Sequence, residues 1–224
     1  MNQKVSVIMS AYNSETTIRK SIESVLNQTY KNIELLVMDD GSTDNTYYEL
    51  NKINDERLLI FRNKNNLGLT KSLNILIEKS SGVFIARQDA DDYSHKDRIL
   101  RQVQEFNKKN IDICVTRAKT IQNNKKIPGL SFFLPYKVVL KYKNPFVHGT
   151  IMINKSSLLK VGKYDEKFYF AQDYKLYFDL AKANFKFKKI FSVLYYLNTL
   201  NNISTNYYEE QLKFANLIKN YRKI

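Results

Sequence analysis

Paired aspartates stand directly after two short apolar runs of this 224-residue chain. Asp39 and Asp40 end one run, and Asp89 and Asp91 come after another. The Asp-x-Asp spacing places two carboxylates on one side of an extended segment, which suits a hard divalent cation that prefers oxygen ligands. A helix-capping βα turn around Asp39, or a solvated acidic turn around Asp89, would give the same pattern. The spacing alone leaves these interpretations open.

The elements around these aspartates alternate regularly through the first half of the chain. The expected strands are Val5–Met9, Ile33–Met38, Leu58–Phe61, Val83–Ala86 and Ile111–Thr116. Between them, apolar residues recur every three or four positions, as on one face of a helix, with one helix expected from about Thr43. This alternation predicts βαβ units and an α/β fold with a mostly parallel sheet. Because open α/β sheets bind ligands at the carboxyl ends of their strands, the aspartates should line a ligand site.

The second half of the chain is less regular. Short apolar pieces stand at Leu130–Leu134, Phe146–Val147 and Ile151–Ile153, followed by an expected helix at Gln172–Asn184 and β segments at Phe187–Phe191 and Val193–Tyr196. No Gly/Ser-rich linker separates the halves, so we predict a single domain over 1–224. Its parts are a first half over 1–118, a second half over 119–206 and a C-terminal amphipathic helix over 207–224.

Composition excludes several classes of protein. With 43% hydrophobic and 26% charged residues the chain is not disordered, and Cys114 is its only cysteine, so no internal disulfide can form. The start of the chain does not fit a signal peptide, so a cytoplasmic location is expected. The net charge of +14 favours a polyanionic partner. Because Lys far outnumbers Arg, we expect an anionic membrane surface or lipid carrier rather than nucleic acid as this partner. The segment Tyr207–Tyr221 would attach to the inner face of the cell membrane or, alternatively, pack on the domain through its Leu212 and Ile218 face.

Seven polar segments succeed one another in a distinctive order. They are Val5–Asn13, Val37–Thr46 (VMDDGSTDNT), Asn66–Asn74, Arg87–Asp92 (RQDADD), His148–Thr150, Val161–Asp165 and Ala171–Leu176. The ordered set resembles the family 2 glycosyltransferases of the bacterial cell-surface polysaccharide type. This resemblance implies the GT-A (Rossmann-like) fold, with a central sheet flanked by helices, a nucleotide-sugar-binding first half and a smaller acceptor-side β/α elaboration.

The resemblance also implies an activity, namely transfer of a sugar with inversion from a nucleotide-sugar donor, expected to be a UDP-sugar, to a hydroxyl of a glycan or lipid-linked acceptor. Asp173 would be the base that removes the proton of that hydroxyl. Asp91 would bind Mn²⁺ or Mg²⁺ held on the diphosphate. Tyr12 would lie against the nucleotide base and Asp39 would accept a hydrogen bond from it. The implied donor-binding residues are Ala11, Tyr12, Asn13, Asp39, Asp40, Asn66, Lys71, Arg87 and Asp89, and the implied acceptor contacts are His148 and Gln172.

The chain departs from the family pattern at two places. Gln172 stands where the family often has Glu before the base, and the segment Tyr195–Ser204 has neither of the Arg and His residues often found there. A catalytically impaired module that only binds sugar nucleotides is therefore one alternative. A sugar-1-phosphate nucleotidyltransferase is another, but the loop SAYNSE after the first strand lacks the glycines that such an enzyme usually carries. Two of the implied site residues also have structural interpretations. His148 could be a surface or loop histidine without a substrate contact, and Asp173 could be a first-turn carboxylate that stabilises its helix.

Overall fold

A computed structural model describes residues 3–108, 110–200 and 207–220. Nine strands in this part of the chain form one sheet, in the order β3-β2-β1-β4-β8-β6-β9-β5 with β7 paired to β6. The strands are β1 Val5–Ala11, β2 Ile33–Asp39, β3 Leu58–Arg62, β4 Phe84–Arg87, β5 Tyr93–Ser94, β6 Ile113–Thr120, β7 Lys126–Ile127, β8 Met152–Asn154 and β9 Phe187–Leu197.

Helices cover both faces of this sheet. They are α1 Ile18–Leu26, α2 Thr46–Asn51, α3 Leu69–Lys79, α4 Arg98–Lys108, α5 Tyr136–Val139, α6 Lys155–Lys160, α7 Gln172–Lys182 and α8 Tyr208–Asn220, with single 3₁₀ turns at Leu130–Phe132 and His148–Thr150. On one face, Val5, Val7 and Met9 pack against α1 and α4. On the other, Ile8 and Leu36 pack against α3 and α7. Burial of both faces accounts for the nearly continuous apolar strands of the first half.

The long strand pairings are parallel. They join β1 to β2 and β4, β2 to β3, and β6 to β9, whereas each antiparallel pairing involves only two or three residues of a strand. The predicted α/β class with a mostly parallel sheet is therefore confirmed. Because β1 lies between β2 and β4 and runs parallel to both, their carboxyl ends lie side by side.

The two β segments predicted near the end of the second half are both β structure, but they are not separate strands. The chain forms one strand, β9, from Phe187 to Leu197. Its register with β6 shifts twice, so that Ile190 pairs with Thr116 while Val193 pairs with Arg117. The extra residues form a bulge, and the polar Ser192 lies in it rather than in a turn.

Other elements differ from the predictions at their ends. The helix expected from about Thr43 begins at Thr46, whose backbone N–H donates to Oδ1 of Asp44 at 2.9 Å and so ends the preceding turn. The apolar piece at Leu130–Leu134 is a 3₁₀ turn with its following loop, and Phe146–Val147 forms neither helix nor strand.

The predicted C-terminal helix packs on the domain as α8. Ile218 is fully buried, and the Phe214 ring lies 5.8 Å from that of Phe168. The predicted positions 221–224 lie outside the described residues. Within the described ranges no helix is both long and apolar enough to cross a membrane.

Candidate functional site

The loops after β1 and β2 hold each other through side chains predicted to bind the donor. Asn13 has a positive φ of 48°, and its Oδ1 accepts a hydrogen bond from the backbone N–H of Thr43 at 2.9 Å. Its own N–H donates to Oγ of Ser42 at 3.0 Å. Asn13 therefore fixes the two loops at the carboxyl edge of the sheet.

Asp40 fixes a third loop in the same place. Its buried carboxylate accepts hydrogen bonds from the backbone N–H groups of Leu67 and Gly68, both at 2.9 Å, and from the amide of Asn63 at 2.8 Å. These hydrogen bonds offset the loss of hydration of the carboxylate, whose burial would otherwise cost free energy. Asp40 thus positions Asn66 and its neighbours.

Asp39 lies fully buried at the end of β2 and is paired with an arginine that sequence reasoning missed. One of its oxygens accepts the N–H of Ser42 at 3.0 Å, and the other lies 3.0 Å from Nε of Arg62. The guanidinium of Arg62 also stacks over the ring of Tyr47, at 4.3 Å from its centroid. The signal for this pair is the strand register, which sets Asp39 directly beside Arg62.

These loops enclose a cavity of about 620 Å³, a size suited to a small-molecule ligand. Tyr12, Arg62 and Asn66 are among its lining residues, and Tyr12 is 47% exposed. Gly41 also lines it, with a φ of +73°. A Cβ at Gly41 would lie 2.6 Å from the carbonyl carbon of Asn65, so only glycine lets the second and third loops approach this closely.

A second group of charged residues lies after β4, next to the first. Arg87 is buried, and its guanidinium lies 2.5 Å from Oδ1 of Asp89. The backbone N–H of Asp89 donates to the hydroxyl of Tyr195 on β9 at 3.0 Å. The Arg87 ion pair and the Tyr195 hydroxyl therefore hold Asp89 at the rim of the sheet.

The carboxylates beyond Asp89 crowd one another. Burial, and then the charge of Asp89, raise the pKa of Asp91 to about 6. Burial, and then the charges of Asp89 and Asp91, raise the pKa of Asp92. One oxygen of Asp92 accepts the backbone N–H of Asn198 at 2.6 Å, and the other is buried without a partner among the residues that the structure describes. Sequence reasoning assigned no role to Asp92, although it stands in the same acidic run.

The carboxylates of Asp89 and Asp91 suit a divalent cation that is also bound by a substrate molecule. Burial and the neighbouring charge of Asp89 raise the pKa of Asp91, so a nearby positive charge would stabilise the ionised Asp91 carboxylate, and hard cations prefer such oxygen donors. Among residues 3–108, 110–200 and 207–220, however, no three His, Cys, Asp or Glu side chains form a group that could hold a metal. Asp91 and Asp89 would therefore supply part of the coordination, and the remaining ligands would come from outside the protein.

Asp173 lies in the first turn of α7, partly open to solvent. Its Oδ2 accepts a hydrogen bond from the amide of Asn144 at 2.6 Å, and its Oδ1 accepts the N–H of Tyr174 at 2.8 Å. These bonds lower its pKa, but burial outweighs them and the charge of Asp89 adds to it, so that the pKa is raised to about 6. Asp173 is thus a carboxylate that can take up a proton close to neutral pH.

The backbone before Asp173 takes an unusual conformation. Ala171 has a φ of 53°, in the left-handed region that non-glycine residues seldom adopt. Its N–H donates to Oε1 of Gln211 on α8 at 3.0 Å. The C-terminal helix therefore supports the turn that leads into Gln172 and Asp173, and Gln211 was not predicted to have this role.

His148 is half-buried in the 3₁₀ turn His148–Thr150, so it is a loop histidine rather than a fully exposed surface side chain. Its Nε2 lies 2.7 Å from the hydroxyl of Tyr164. Burial, and then the charge of Arg87, lower the pKa of His148 to about 3, which keeps the ring neutral. The buried hydroxyl of Tyr177 on α7 has no hydrogen-bond partner within the described part of the chain, and its pKa is raised by burial and by the charge of Asp173.

The predicted residues thus fall into two neighbouring groups. Tyr12 and Asn66 line the cavity, while the charges of Arg87 and Asp89 act on His148 and, for Asp89, on Asp173. Three predicted residues lie apart from these contacts: Ala11 is buried in the core, Lys71 is exposed on α3, and Gln172 is buried beside Asp173.

Comparison with known proteins gives consistent results. The family model described as Glycosyl transferase family 2 matches residues 6–163. The chain is 30% identical over 220 residues, 96% of its length and 85% of the relative's, to the UDP-Glc:alpha-D-GlcNAc-diphosphoundecaprenol beta-1,3-glucosyltransferase WfaP of Escherichia coli. It is 33% identical to an uncharacterized glycosyltransferase of Haemophilus influenzae, over 96% of this chain and 72% of that protein.

Solved structures share the fold. The crystal structure of S. aureus TarS 1-349 in complex with UDP-GlcNAc superimposes with a TM-score of 0.81 at 21% identity, covering 96% of this chain and 65% of that one. The mannosyltransferase PcManGT from Pyrobaculum calidifontis, in complex with GDP-Man and Mn²⁺, gives a TM-score of 0.76 at 16% identity, covering 95% and 61%. This chain therefore spans somewhat less than two thirds of those structures.

Proposed function

Since this chain belongs to glycosyl transferase family 2, we propose that it transfers a sugar from a UDP-sugar to a hydroxyl group of a glycan or lipid-linked acceptor, with inversion at the anomeric carbon. The observation that carries the proposal is the Asp173 carboxylate, which Asn144 and the N–H of Tyr174 hold in the first turn of α7 and whose pKa is raised to about 6 by burial and, to a smaller extent, by the charge of Asp89. The names of the relatives support the donor and acceptor classes, since WfaP takes UDP-Glc and acts on a diphosphoundecaprenol-linked sugar.

The nucleoside of the donor would occupy the cavity beside β1 and β2. The exposed ring of Tyr12 offers a face for a pyrimidine base, and Arg62 and Lys64 line the same space with positive charge suited to a diphosphate. Gly41 allows the second and third loops to lie close together beside this cavity, because a side chain at position 41 would collide with the third loop.

Asp91, with Asp89, would hold Mn²⁺ or Mg²⁺ on the donor diphosphate. When bound, the ion would neutralise negative charge on the departing nucleoside diphosphate. The protein's part is to keep Asp89 in place through Arg87 and Tyr195, so that a second carboxylate stands beside Asp91.

Asp173 would remove the proton from the acceptor hydroxyl as that oxygen attacks the anomeric carbon. The bond to the acceptor oxygen forms while the bond to the diphosphate oxygen breaks, and the proton ends on Asp173. A single displacement of this kind inverts the configuration. Asn144 and the N–H of Tyr174 orient the carboxylate through their hydrogen bonds.

A panel of UDP-sugars tests this proposal directly. The protein would be incubated with each UDP-sugar, Mn²⁺ and a polyprenyl-diphosphate-linked sugar, and the products would be read by mass spectrometry. We expect one sugar to be added to the lipid-linked acceptor, with release of UDP. Binding of UDP-sugars with neither hydrolysis nor transfer would support a binding module, and formation of a UDP-sugar from a sugar 1-phosphate and UTP would support a nucleotidyltransferase.

The rate should depend on pH through Asp173. The base works only when ionised, so kcat/KM for the acceptor should be constant above its pKa of about 6 and fall about tenfold per pH unit below it. Rates would be measured at saturating Mn²⁺, so that competition between protons and metal at Asp91 does not shape the curve. A profile that stays flat through this range would contradict the assignment of Asp173 as the base.

A further inference from the structure

The positive charge of this protein is concentrated in one part of the chain. From Ile113 to Tyr164 the sequence contains ten Lys and Arg residues and no Asp or Glu. This stretch accounts for +10 of the net charge of +14. Lys163, at the end of the stretch, is paired with Glu78 from α3, whereas Lys137 and Lys143 in its middle are exposed, so the unbalanced charge is sought around these two lysines.

Apolar side chains are exposed in the middle of this stretch. Leu130 is 87% exposed and Tyr142 is 70% exposed, and Phe133, Leu134 and Val138 are each about half exposed. Soluble proteins rarely present so many large apolar side chains together, and such a group usually marks an interaction site. We call the exposed surface of residues 130–143 the basic apolar face.

Exposed lysines and exposed apolar side chains are interleaved along residues 137–143. Val138 in α5 and Tyr142 in the turn after it are both exposed, while Val139 and Leu140 between them are buried. Lys137 and Lys143 are exposed beside them.

The base of this face is held rigidly. Nζ of Lys189 donates to the carbonyl oxygens of Phe132 and Leu134, at 2.6 and 2.8 Å, and the ring of Phe133 stacks on that of Phe191 at 5.4 Å. The exposed side chains therefore project from a fixed backbone.

We infer that the basic apolar face docks on the surface of an anionic phospholipid bilayer. Lysines around exposed Leu, Phe and Tyr side chains suit such a surface, because apolar tips enter the headgroup boundary while lysine side chains reach the phosphates. A protein partner would need an equally one-sided acidic surface to match this charge. The same segment ends at Asn144, which donates to the carboxylate of Asp173, so a docked protein would hold its proposed base close to the membrane.

The C-terminal helix α8, for which membrane attachment was one of two expectations, is less suited to this role. Residues 207–220 contain Glu209 and Glu210 as well as Lys213 and Lys219, so the helix has no net charge. It also uses Phe214 and Ile218 to pack on the domain. Experiments can therefore distinguish membrane binding by the basic apolar face from membrane binding by the C-terminal helix.

Co-sedimentation with vesicles tests the inference without any assay of activity. Vesicles of phosphatidylcholine with phosphatidylglycerol should bind the protein at low salt and release much of it at high salt, and phosphatidylcholine alone should bind it weakly. The double variant Lys137→Gln/Lys143→Gln should lower the affinity roughly 25-fold, about fivefold for each lysine near the surface. Leu130→Ser should lower it at least about tenfold, since the apolar tip is lost.

Matched variants elsewhere serve as controls. Lys31→Gln/Lys108→Gln removes two exposed lysines of the first half, and Leu212→Ser removes an exposed leucine of α8, and both should bind vesicles like the wild type. Because Leu130 is so exposed, its replacement should leave the melting temperature unchanged. The inference is overturned if anionic vesicles do not bind the protein, or if only the Leu212→Ser variant loses binding. It is also overturned if the protein is a dimer that does not bind vesicles and Leu130→Ser converts that dimer to monomers.

Discussion

Replacing Asp173 by asparagine should lower the rate of sugar transfer by roughly 10²–10⁴-fold, the usual contribution of a general base. Asparagine keeps the size of the side chain but cannot accept the proton of the acceptor hydroxyl. Affinity for UDP should stay nearly unchanged, because the cavity at Tyr12 and the carboxylates after β4 are intact. Transfer rates under saturating donor and acceptor, together with calorimetric titration of UDP, would measure both effects.

The stability of this variant separates a chemical effect from a structural one. A carboxylate in the first turn of a helix adds about 0.3–1 kcal/mol to stability, whereas burial of the ionised Asp173 opposes folding. The raised pKa shows that burial outweighs the favourable hydrogen bonds. The folded state therefore favours protonated Asp173, so wild-type stability from this group falls as the pH rises through about 6. Asp173→Asn should thus melt at or above the wild-type temperature at neutral pH.

Asp179 offers a matched control on the same helix. It pairs with Lys175 at 2.6 Å and takes no part in the proposed chemistry, so Asp179→Asn should leave the rate of transfer close to that of the wild type. If a folded Asp173→Asn protein transfers sugar at the wild-type rate, another residue is the base.

The second large effect is expected at Asp91. Asp91→Asn removes a carboxylate from the proposed metal site and should lower the rate by roughly 10²–10³-fold, as expected for loss of a group that stabilises charge in the transition state. Unlike Asp173→Asn, it should also abolish the part of the UDP affinity that depends on Mn²⁺. Titrations of UDP in Mn²⁺ and in EDTA would show this difference independently of catalysis.

Asp97 provides the comparison for Asp91. It lies six residues further along and faces His95, with its carboxylate 3.8 Å from Nδ1 of that ring. Asp97→Asn should bind UDP with the same dependence on Mn²⁺ as the wild type. Equal UDP affinity of the wild type in Mn²⁺ and in EDTA, with full activity in EDTA, would contradict the role of Asp91.

The sequence predicted the parts of the site that depend on local pattern. Apolar runs that end in polar loops located β1, β2 and β4, because a parallel sheet buried on both faces needs such runs and leaves the loops after them at its edge. Asp39, Asp91 and Asp173 could be singled out for the same reason, since their motifs are short and contiguous, and their roles stay predictions. The start of α2 was misplaced although its signal, Asp44 beside Thr46, is equally local.

The parts that were missed depend on tertiary contacts. Arg62 is recognised only when β2 and β3 are aligned, and Tyr195 reaches Asp89 across 106 residues of chain. Asn144 contacts Asp173 over 29 residues. Each of these residues is of an ordinary type in an unremarkable segment, so hydrophobic periodicity and motif spacing carry no information about its partner.

The hydrogen bond between Ala171 and Gln211 joins parts of the candidate site that are synthesised at different times. Gln211 lies 40 residues after Ala171, a length that a ribosome adds in about 2–8 s. The cavity beside β1 and β2, in contrast, is lined by residues that all precede Leu67. A growing chain therefore contains every residue that lines this cavity long before it contains the residue that supports the turn ahead of Asp173.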